Sequence, residues 1–349
     1  MPSLHSTPFH PHHLEFDSVR ELPDSHSWPR LEHCNASAET VPLIDLASTD
    51  ASTQIADACE SWGAFQVIGH GVPTSLLDRL EAETRCLFSL PTQQKLKAAR
   101  SPDALSGYGL APISSFFAKR MWSEGFTISG SPVNHARSLW PQDYSQFCNV
   151  VQEYQKEMKE LTLKLMRLMI LSLGPDNNDG IKGTRPGPAS DLVGVLQLNS
   201  YPVCPDPDRA MGLAAHTDSS LLTVLHQSRT NGLQVLREPD RAGPAHWVAV
   251  PPIPGALVVN VGDLLHILSN GRFKNVLHRA IVNRTHHRVS VAYICGPQDW
   301  VEVSPLVRPG EGPTYRSVTW TQYLGLKAKL FDKALASLTM ADDGVKHFR

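Results

Sequence analysis

The most informative segment of this 349-residue chain is residues 256–294, which read ALVVNVGDLLHILSNGRFKNVLHRAIVNRTHHRVSVAYI. Short apolar runs rich in valine, leucine and isoleucine are separated there by glycine and asparagine, and this pattern is typical of strands joined by turns. The dipeptide Asn270-Gly271 favours a type I′ turn between two strands. The segment therefore predicts four strands, at residues 256–261, 263–269, 276–283 and 289–294.

Outside this segment, one part of the chain has strand-like apolar runs and another has a helical period. Further strand-like runs lie at residues 193–200, 221–226, 233–236 and 247–251. Before them, residues 142–173 predict a long helix that Gly174-Pro175 ends. Five of its apolar residues recur with a 3.6-residue period: Tyr154, Met158, Leu161, Leu165 and Leu168. Helices followed by strands predict an α+β protein, in which a helical scaffold carries an antiparallel β-sandwich or barrel.

Composition divides the chain into four parts. Residues 1–40 are rich in proline, histidine and serine without a hydrophobic period, which predicts a flexible arm. We interpret His10, His12 and His13 as part of this solvated arm, because a mobile segment has no outer residues to orient metal ligands. Residues 41–190 form a mainly helical module, residues 191–300 the β-core, and residues 301–349 a helical tail.

Charge and cysteine content exclude several classes of protein. The formal net charge is −2 and charged residues make up 19% of the chain, so no basic surface for a nucleic acid is indicated. No apolar run is long enough to span a membrane, and no obligate protein partner is indicated.

The six cysteines form no C-x-x-C pair, which predicts free thiols in a reducing compartment. Without a secretory signal at the start, the expected location is the cytoplasm.

Polar residues with the spacing of a metal site occur within the predicted β-core. The triplet HTD occupies positions 216–218, His278 follows 60 residues after the aspartate, and RVS begins ten residues beyond His278. An H-x-D triplet alone indicates little, since about one is expected by chance at this composition. The joint occurrence of all three parts favours a functional site.

Each part of this pattern suits one task. Two imidazoles and one carboxylate, from His216, His278 and Asp218, leave one face of a metal open, as ferrous iron requires when it binds a chelating cosubstrate and O2. Side chains alternate along a strand, so Arg288 and Ser290 point to the same side. A guanidinium beside a hydroxyl is well suited to binding a carboxylate.

Every one of these residues also has a structural interpretation. His278 could be a hydrogen-bonded core histidine, His216 a surface histidine and Arg288 a solvated charge at a strand end. Only the complete set favours the metal site. Three other histidines, His70, His226 and His266, lack suitable partners in the sequence and are interpreted as structural. His286 and His287 are adjacent, so they would face opposite ways on a strand, and we interpret them as turn residues that are not metal ligands.

Several longer motifs resemble the plant 2-oxoglutarate- and iron-dependent dioxygenases. They are NSYPVCPDP at 199–207, GLAAHTD at 212–218, VNVGD at 259–263 and LSNGRF at 268–273. The segments VPLIDL at 41–46 and WGAFQVIGHG at 62–71 resemble the N-terminal module of the same family. The resemblance covers residues 41–325, and every metal and cosubstrate position of the family is filled.

The resemblance implies the fold and the cofactors. The expected fold is a double-stranded β-helix of the jelly-roll or cupin kind, with a mainly helical N-terminal module. The expected cofactors are Fe(II), 2-oxoglutarate and O2, with ascorbate as the reductant. By resemblance, His216, Asp218 and His278 bind iron, and the distal carboxylate of 2-oxoglutarate is held by Arg288 and Ser290 with help from Tyr201.

Within the family, the chain is most similar to the gibberellin 3-beta-dioxygenases. The motifs are GYG at 107–109 and AKRMWSEGFTI at 118–128, and the leucine-proline-tryptophan-lysine signature of gibberellin 20-oxidases is missing. The resemblance implies 3-beta-hydroxylation of gibberellin precursors to bioactive gibberellins. Gibberellins are apolar ring systems with a carboxylate, so the candidate pocket walls are Tyr108, Met121, Trp122 and Phe126, and the candidate cation is Lys119 or Arg120. Alternatively, these residues pack the N-terminal module against the core.

Other functions remain open at this point. On the same scaffold they are gibberellin 2- or 20-oxidation and flavonoid oxygenation. A zinc hydrolase can also use two histidines and one carboxylate, but it needs no R-x-S anchor. A non-catalytic binding module of the cupin kind would not need a complete set of metal ligands.

Overall fold

Two facing sheets form the centre of the protein in a computed structural model, which describes residues 14–32, 39–101, 104–174, 192–238 and 243–340. The larger sheet has the order β1-β2-β10-β7-β12-β5-β4-β3, and the smaller one has the order β6-β11-β8-β9. In sequence order, β1 to β6 are Leu43–Asp45, Ala64–Ile68, Gly107–Gly109, Glu124–Ser129, Leu192–Tyr201 and Met211–His216. The strands β7 to β12 are Leu222–Gln227, Leu233–Arg237, His246–Ala249, Leu257–Val261, His278–Ile281 and Arg288–Pro297. All pairings within these two sheets are antiparallel except that of β1 with β2.

The space between the two sheets is an apolar interior. Leu225 and Ala292 of the larger sheet belong to the same buried cluster as Leu233, Val235 and Val248 of the smaller sheet. Such a double-layered antiparallel core is the jelly-roll architecture expected from the sequence. The expected α+β fold, with a jelly-roll core and a helical N-terminal module, is confirmed.

Helices cover the outer face of the larger sheet. They are α1 (Ala51–Ser61), α2 (Thr74–Ser89), α3 (Thr92–Lys95), α4 (Val133–Leu139) and α5 (Ser145–Ser172). The predicted long helix corresponds to α5, whose periodic apolar residues are buried except for the half-buried Leu168. Gly174 has φ 130°, a conformation that L side chains rarely adopt, so the helix ends where the sequence predicts.

One predicted strand is a helix. Residues 263–269 were expected to form a strand, but Asp263–Leu268 is a short helix, α6. Its buried leucines and isoleucine occupy positions 264, 265, 267 and 268, which fits a helical face as well as a strand. Asn270 (φ 55°) and Gly271 (φ 86°) have the positive φ values of the expected turn, but they end a helix instead of joining two strands. The expected hairpin is therefore wrong.

Strand β6 was missed by the sequence analysis. Met211–His216 reads MGLAAH, and glycine and alanine have low β-propensity, so local composition does not indicate a strand. Its pairing with β11 supplies the missing stabilisation, since His278 lies directly opposite His216.

The described part of the N-terminal arm differs from the flexible segment that was expected. Phe16–Ser18 and Asp24–His26 are short 3-10 helices. Phe16 packs edge-on against Trp122 with ring centroids 4.9 Å apart, and the backbone N–H of Trp28 donates to the carbonyl of Arg209 at 2.8 Å. The apolar residues of this segment have no regular period, so only their tertiary contacts reveal that they pack. His10, His12 and His13 lie outside the described residues.

The C-terminal region returns to the end of the core where His216 and Thr217 lie. Strands β13 (Glu302–Val303) and β14 (Val318–Thr319) precede helix α7 (Trp320–Leu330), which begins with a capping box formed by Thr319 and Gln322. None of the described helices is long and apolar enough to cross a membrane. The five cysteines among the described residues are free thiols, as predicted, and Cys34 lies outside them.

Candidate metal centre

Three potential metal ligands meet at one end of the space between the sheets. His216 ends β6, His278 begins β11, and the two residues are paired across the strands. Asp218 lies two residues beyond the end of β6, and its Oδ1 is 3.7 Å from Nε2 of His216 and 3.9 Å from Nε2 of His278. One ligand atom from each of the three side chains lies within 4.8 Å of the other two. Such separations suit side chains that share one ion.

Backbone carbonyls orient both imidazoles. Nδ1 of His216 lies 2.8 Å from the carbonyl oxygen of Ala214, and Nδ1 of His278 lies 3.2 Å from that of Val276. Each Nδ1–H therefore donates to a carbonyl, and each Nε2 keeps a lone pair for a metal. Burial, followed by repulsion from His278, lowers the pKa of His216, which favours the neutral form that binds metals.

The carboxylate of Asp218 has unused capacity as an acceptor. Burial raises the pKa of Asp218, but the two histidines and the Thr223 hydroxyl lower it by more. The net shift is downward, so Asp218 is ionised. Its Oδ2 is buried without a hydrogen-bond partner. Buried polar atoms are normally satisfied, so an ionised oxygen without a donor fits coordination to a cation. This donor set of two imidazoles and one carboxylate matches the facial arrangement of Fe(II) oxygenases.

A second buried side chain with unpartnered polar atoms, Arg288, lies on β12. Arg288 is 1% exposed, and its Nη2 donates to Oε1 of Gln227 at 3.2 Å, while Nε and Nη1 have no partner. The guanidinium lies over the ring of Tyr201, 4.9 Å from its centroid. Ser290, two residues along the strand, is buried and shares the face of Arg288. Two free donors beside a hydroxyl fit a carboxylate ligand.

Two residues near Arg288 were not singled out from the sequence. Gln227 holds one guanidinium nitrogen, and Gly232 leaves room for the side chain. A Cβ added at Gly232 would lie 2.7 Å from Cδ of Arg288, closer than real contacts allow. An isolated glutamine and an isolated glycine carry no motif, so the sequence offers no signal for either role.

A buried carboxylate beside the metal ligands was also missed. Asp263 begins helix α6 and is fully buried. Four side chains donate to its oxygens: Thr217 at 3.0 Å, Tyr323 at 2.7 Å, Lys327 at 2.6 Å and Asn275 at 2.7 Å. The backbone N–H of Asp263 donates to the carbonyl of Asp218 at 2.7 Å. We call these five side chains the Asp263 network, and it connects the loop of the candidate ligand Asp218 to helix α7.

The other candidate histidines lie away from this centre and have their own contacts. His70 bonds the Gly255 carbonyl at 2.8 Å, and His266 bonds the Tyr315 hydroxyl at 2.8 Å. His286 and His287 precede β12, where they contact the hydroxyls of Thr285 and Ser200. Nε2 of His226 lies 3.7 Å from a Glu81 oxygen. Among the described residues, only His216, Asp218 and His278 form a cluster of three such ligands.

The candidate substrate residues do not converge on one cavity. Tyr108, Arg120 and Met121 line a cavity of about 30 Å³ together with Phe16 and His26, and this volume holds only one or two water molecules. The Tyr108 hydroxyl donates to Glu124, and burial raises the pKa of Tyr108.

The remaining candidates have packing contacts elsewhere. Trp122 is fully buried and its indole N–H donates to the Pro202 carbonyl at 3.2 Å. Phe126 lies in the core under the helices, edge-on to His135. Lys119 donates to the Asp24 carbonyl at 2.7 Å. A substrate role for these residues stays a prediction.

Comparison with known proteins assigns the family. A model of the 2OG-Fe(II) oxygenase superfamily matches residues 193–297, and a model of the non-haem dioxygenase N-terminal region, named for morphine synthesis, matches residues 41–146. The chain is 53% identical to gibberellin 3-beta-dioxygenase 1 of Arabidopsis thaliana, over 97% of this chain and 98% of the relative. It is 51% identical to gibberellin 3-beta-dioxygenase 1 of Pisum sativum, over 97% and 94%. The chain belongs to the 2OG-Fe(II) oxygenase superfamily.

Solved oxygenases of this superfamily share the fold. A crystal structure of JOX2 in complex with 2OG, Fe and JA has a TM-score of 0.77 and 30% identity, covering 93% of this chain and 95% of that one. The rice dioxygenase for auxin oxidation has a TM-score of 0.69 and 30% identity, covering 86% and 100%. This 2OG-Fe(II) oxygenase is therefore a dioxygenase that uses Fe(II), 2-oxoglutarate and O2, typically with ascorbate. The zinc hydrolase and the non-catalytic module are no longer tenable.

Proposed function

We propose that this oxygenase hydroxylates gibberellin precursors at the 3-beta position and so forms bioactive gibberellins. The observation that carries the proposal is near-complete alignment with relatives named gibberellin 3-beta-dioxygenase, which are 42–53% identical over at least 92% of this chain. The motif AKRMWSEGFTI at residues 118–128 supports the same group from the sequence.

In this proposal, Nε2 of His216, Nε2 of His278 and the carboxylate of Asp218 hold Fe(II). The carbonyls of Ala214 and Val276 keep both imidazoles in the tautomer that can bind metal. When bound, Fe(II) supplies the chemistry by which 2-oxoglutarate is oxidised to succinate and CO2 while O2 hydroxylates a C–H bond of the substrate.

The chain's own groups bind and orient the cosubstrate. Arg288, whose Nε and Nη1 have no partner in the protein, would supply the cation that holds the distal carboxylate of 2-oxoglutarate, and Ser290 would add a hydroxyl on the same face. Tyr201 supports the guanidinium through its ring. Because Arg288 is buried, these charge-assisted hydrogen bonds are formed away from water, which strengthens them.

We further propose that the protein acts in the cytoplasm on a small-molecule substrate, without a nucleic-acid, membrane or obligate protein partner. The free thiols of the described cysteines and the net charge of −2 support this proposal. Fractionation of plant cells should recover the protein with cytosolic markers, and recovery in a membrane fraction would contradict it.

The proposed reaction is tested by product identification. Purified protein with Fe(II), ascorbate and 2-oxoglutarate is incubated with gibberellin precursors and with flavanones, and products are identified by mass spectrometry. We expect a new 3-beta-hydroxyl on the gibberellin and one succinate for each hydroxylation. Oxidation only at carbon 2 or carbon 20, or turnover of flavanones alone, would overturn the proposed substrate and position while leaving the oxygenase chemistry intact.

A further inference from the structure

Arg100 is a half-buried cation that, like the fully buried Arg288, has no acidic partner among the described residues. Its Nη1 donates to the Leu110 carbonyl at 3.1 Å and its Nη2 donates to Oγ1 of Thr127 at 2.6 Å. Its Nε is buried and has no hydrogen-bond partner. Within the described ranges, no carboxylate forms an ion pair with Arg100. Burial lowers its pKa, and no acidic neighbour opposes that shift.

The state of Arg100 resembles that of Arg288. Both guanidiniums are anchored by neutral acceptors, and both keep an unused Nε–H inside the protein. Charged groups that leave water are normally compensated by an opposite charge. For Arg288 the compensating anion is the proposed cosubstrate. Arg100 has no anion assigned to it, which indicates a second anionic ligand.

A series of hydrogen bonds places Arg100 on the inner side of the larger sheet. Thr127 on β4 accepts from Arg100 and donates to Gln197 on β5 at 2.6 Å, and Gln197 donates to Asn199 at 3.1 Å. Gln197 lies opposite Ala292, which faces the interior between the sheets. Residues opposite each other in neighbouring strands project from the same face. The guanidinium of Arg100 therefore adjoins this inner face.

The same register gives the spacing between the two cations. Asn199 lies opposite Ser290 on β12, and β4, which carries Thr127, is two strands from β12. Neighbouring strands are roughly 4.8 Å apart, so Arg100 lies roughly 10 Å or more across the sheet from the Arg288–Ser290 anchor. A ring system that contacts Arg100 would therefore lie on the same inner face as the Arg288–Ser290 anchor.

We propose that Arg100 binds the carboxylate of the organic substrate and thereby selects acids over their neutral esters. This inference rests on the proposed gibberellin reaction and deepens it. Arg100 replaces Lys119 and Arg120 as the expected cation for this carboxylate. The Lys119 ammonium donates to the Asp24 carbonyl, and Arg120 lines the small cavity beside His26. The free Nε–H and a second N–H of Arg100 form a fork that matches a carboxylate.

The test compares a free gibberellin acid with its methyl ester. Wild type should prefer the acid, and Arg100→Gln should lower kcat/KM for the acid by about 30-fold or more while leaving the ester nearly unchanged. Arg100→Lys should retain part of the preference, because it keeps the charge but not the planar fork. Lys97→Gln is the matched control, since it removes an exposed charge three residues away, and it should behave as wild type.

Binding separates substrate recognition from a structural role. Tryptophan fluorescence of the anaerobic enzyme, loaded with Fe(II) and 2-oxoglutarate, should give a weaker Kd for the acid in Arg100→Gln, with an unchanged requirement for 2-oxoglutarate. An equal loss for acid and ester, or a loss shared by Lys97→Gln, would overturn the inference and leave the proposed reaction standing. If wild type hydroxylates a different carboxylic acid, the proposed reaction fails, and the acid–ester pair of that substrate tests Arg100. Turnover of uncharged substrates alone would overturn both.

Discussion

At the residue scale, the three candidate metal ligands should be indispensable. His216→Ala, Asp218→Ala and His278→Ala each remove one of the three proposed ligands, so each should abolish turnover and weaken binding of Co(II), a spectroscopic substitute for Fe(II). Co(II) titration followed by visible absorbance measures the affinity. His286→Ala is the control, because His286 is exposed and its ring hydrogen-bonds the Thr285 hydroxyl, away from the candidate metal ligands. Near wild-type activity in two of the three ligand variants would disprove the assignment.

Arg288 should affect the cosubstrate selectively. Removing one member of a buried charge pair costs about 2–5 kcal/mol, which is roughly a 30- to several-thousand-fold loss of affinity. Arg288→Met should therefore raise the KM for 2-oxoglutarate far more than that for the organic substrate. Arg288→Lys should also be impaired, because an ammonium cannot replace the two free guanidinium donors. Equal changes in both KM values would show that Arg288 is not the anchor.

At the scale of secondary-structure elements, helix α7 should position the metal-ligand loop. Lys327 on this helix donates to Thr217 and to Asp263 at 2.6 Å, and Asp263 in turn holds the backbone of Asp218. Lys327→Met removes a cation from a buried carboxylate, so the loop should lose its fixed position. We expect up to about 10-fold weaker Co(II) affinity, at the lower end of the effect of outer residues on metal sites.

The neighbouring Lys329 is the matched control for this prediction, because it is exposed on the same helix. Lys329→Met should leave Co(II) affinity unchanged. The same titration by visible absorbance measures both variants, and circular dichroism checks that each remains folded. Wild-type Co(II) affinity in a folded Lys327→Met variant would mean that the Asp263 network stabilises the fold without positioning the loop.

Element types were predictable where periodicity is unambiguous. Helix α5 shows its 3.6-residue period over 28 residues, so its place in the sequence is clear. Helix α6 has only six residues, and over such a length a helical and a strand pattern are hard to distinguish. Strand β6 has weak intrinsic preference and depends on its pairing with β11. The secondary structure of such short elements therefore depends on their tertiary contacts.

At the scale of the whole molecule, the double-layered core brings the proposed 2-oxoglutarate anchor and the proposed metal ligands to one interior. Strand β12 lies between β7 and β5 in the larger sheet and carries the Arg288–Ser290 anchor, while β6 and β11 of the smaller sheet carry His216 and His278. The N-terminal residues 14–32 add a further layer over Trp122.

The sequence by itself determined an α+β protein with an antiparallel β-core, and it singled out His216, Asp218, His278, Arg288 and Ser290 as one candidate set. Those features follow from local spacing, because the period of two along a strand sets which side chains share a face. Only the tertiary structure decided that Asp263 meets Lys327 from 64 residues away, that Arg100 lacks an acidic partner among the described residues, and that residues 14–32 pack. These features depend on strand register and on contacts between distant segments, and local sequence contains no period that specifies them.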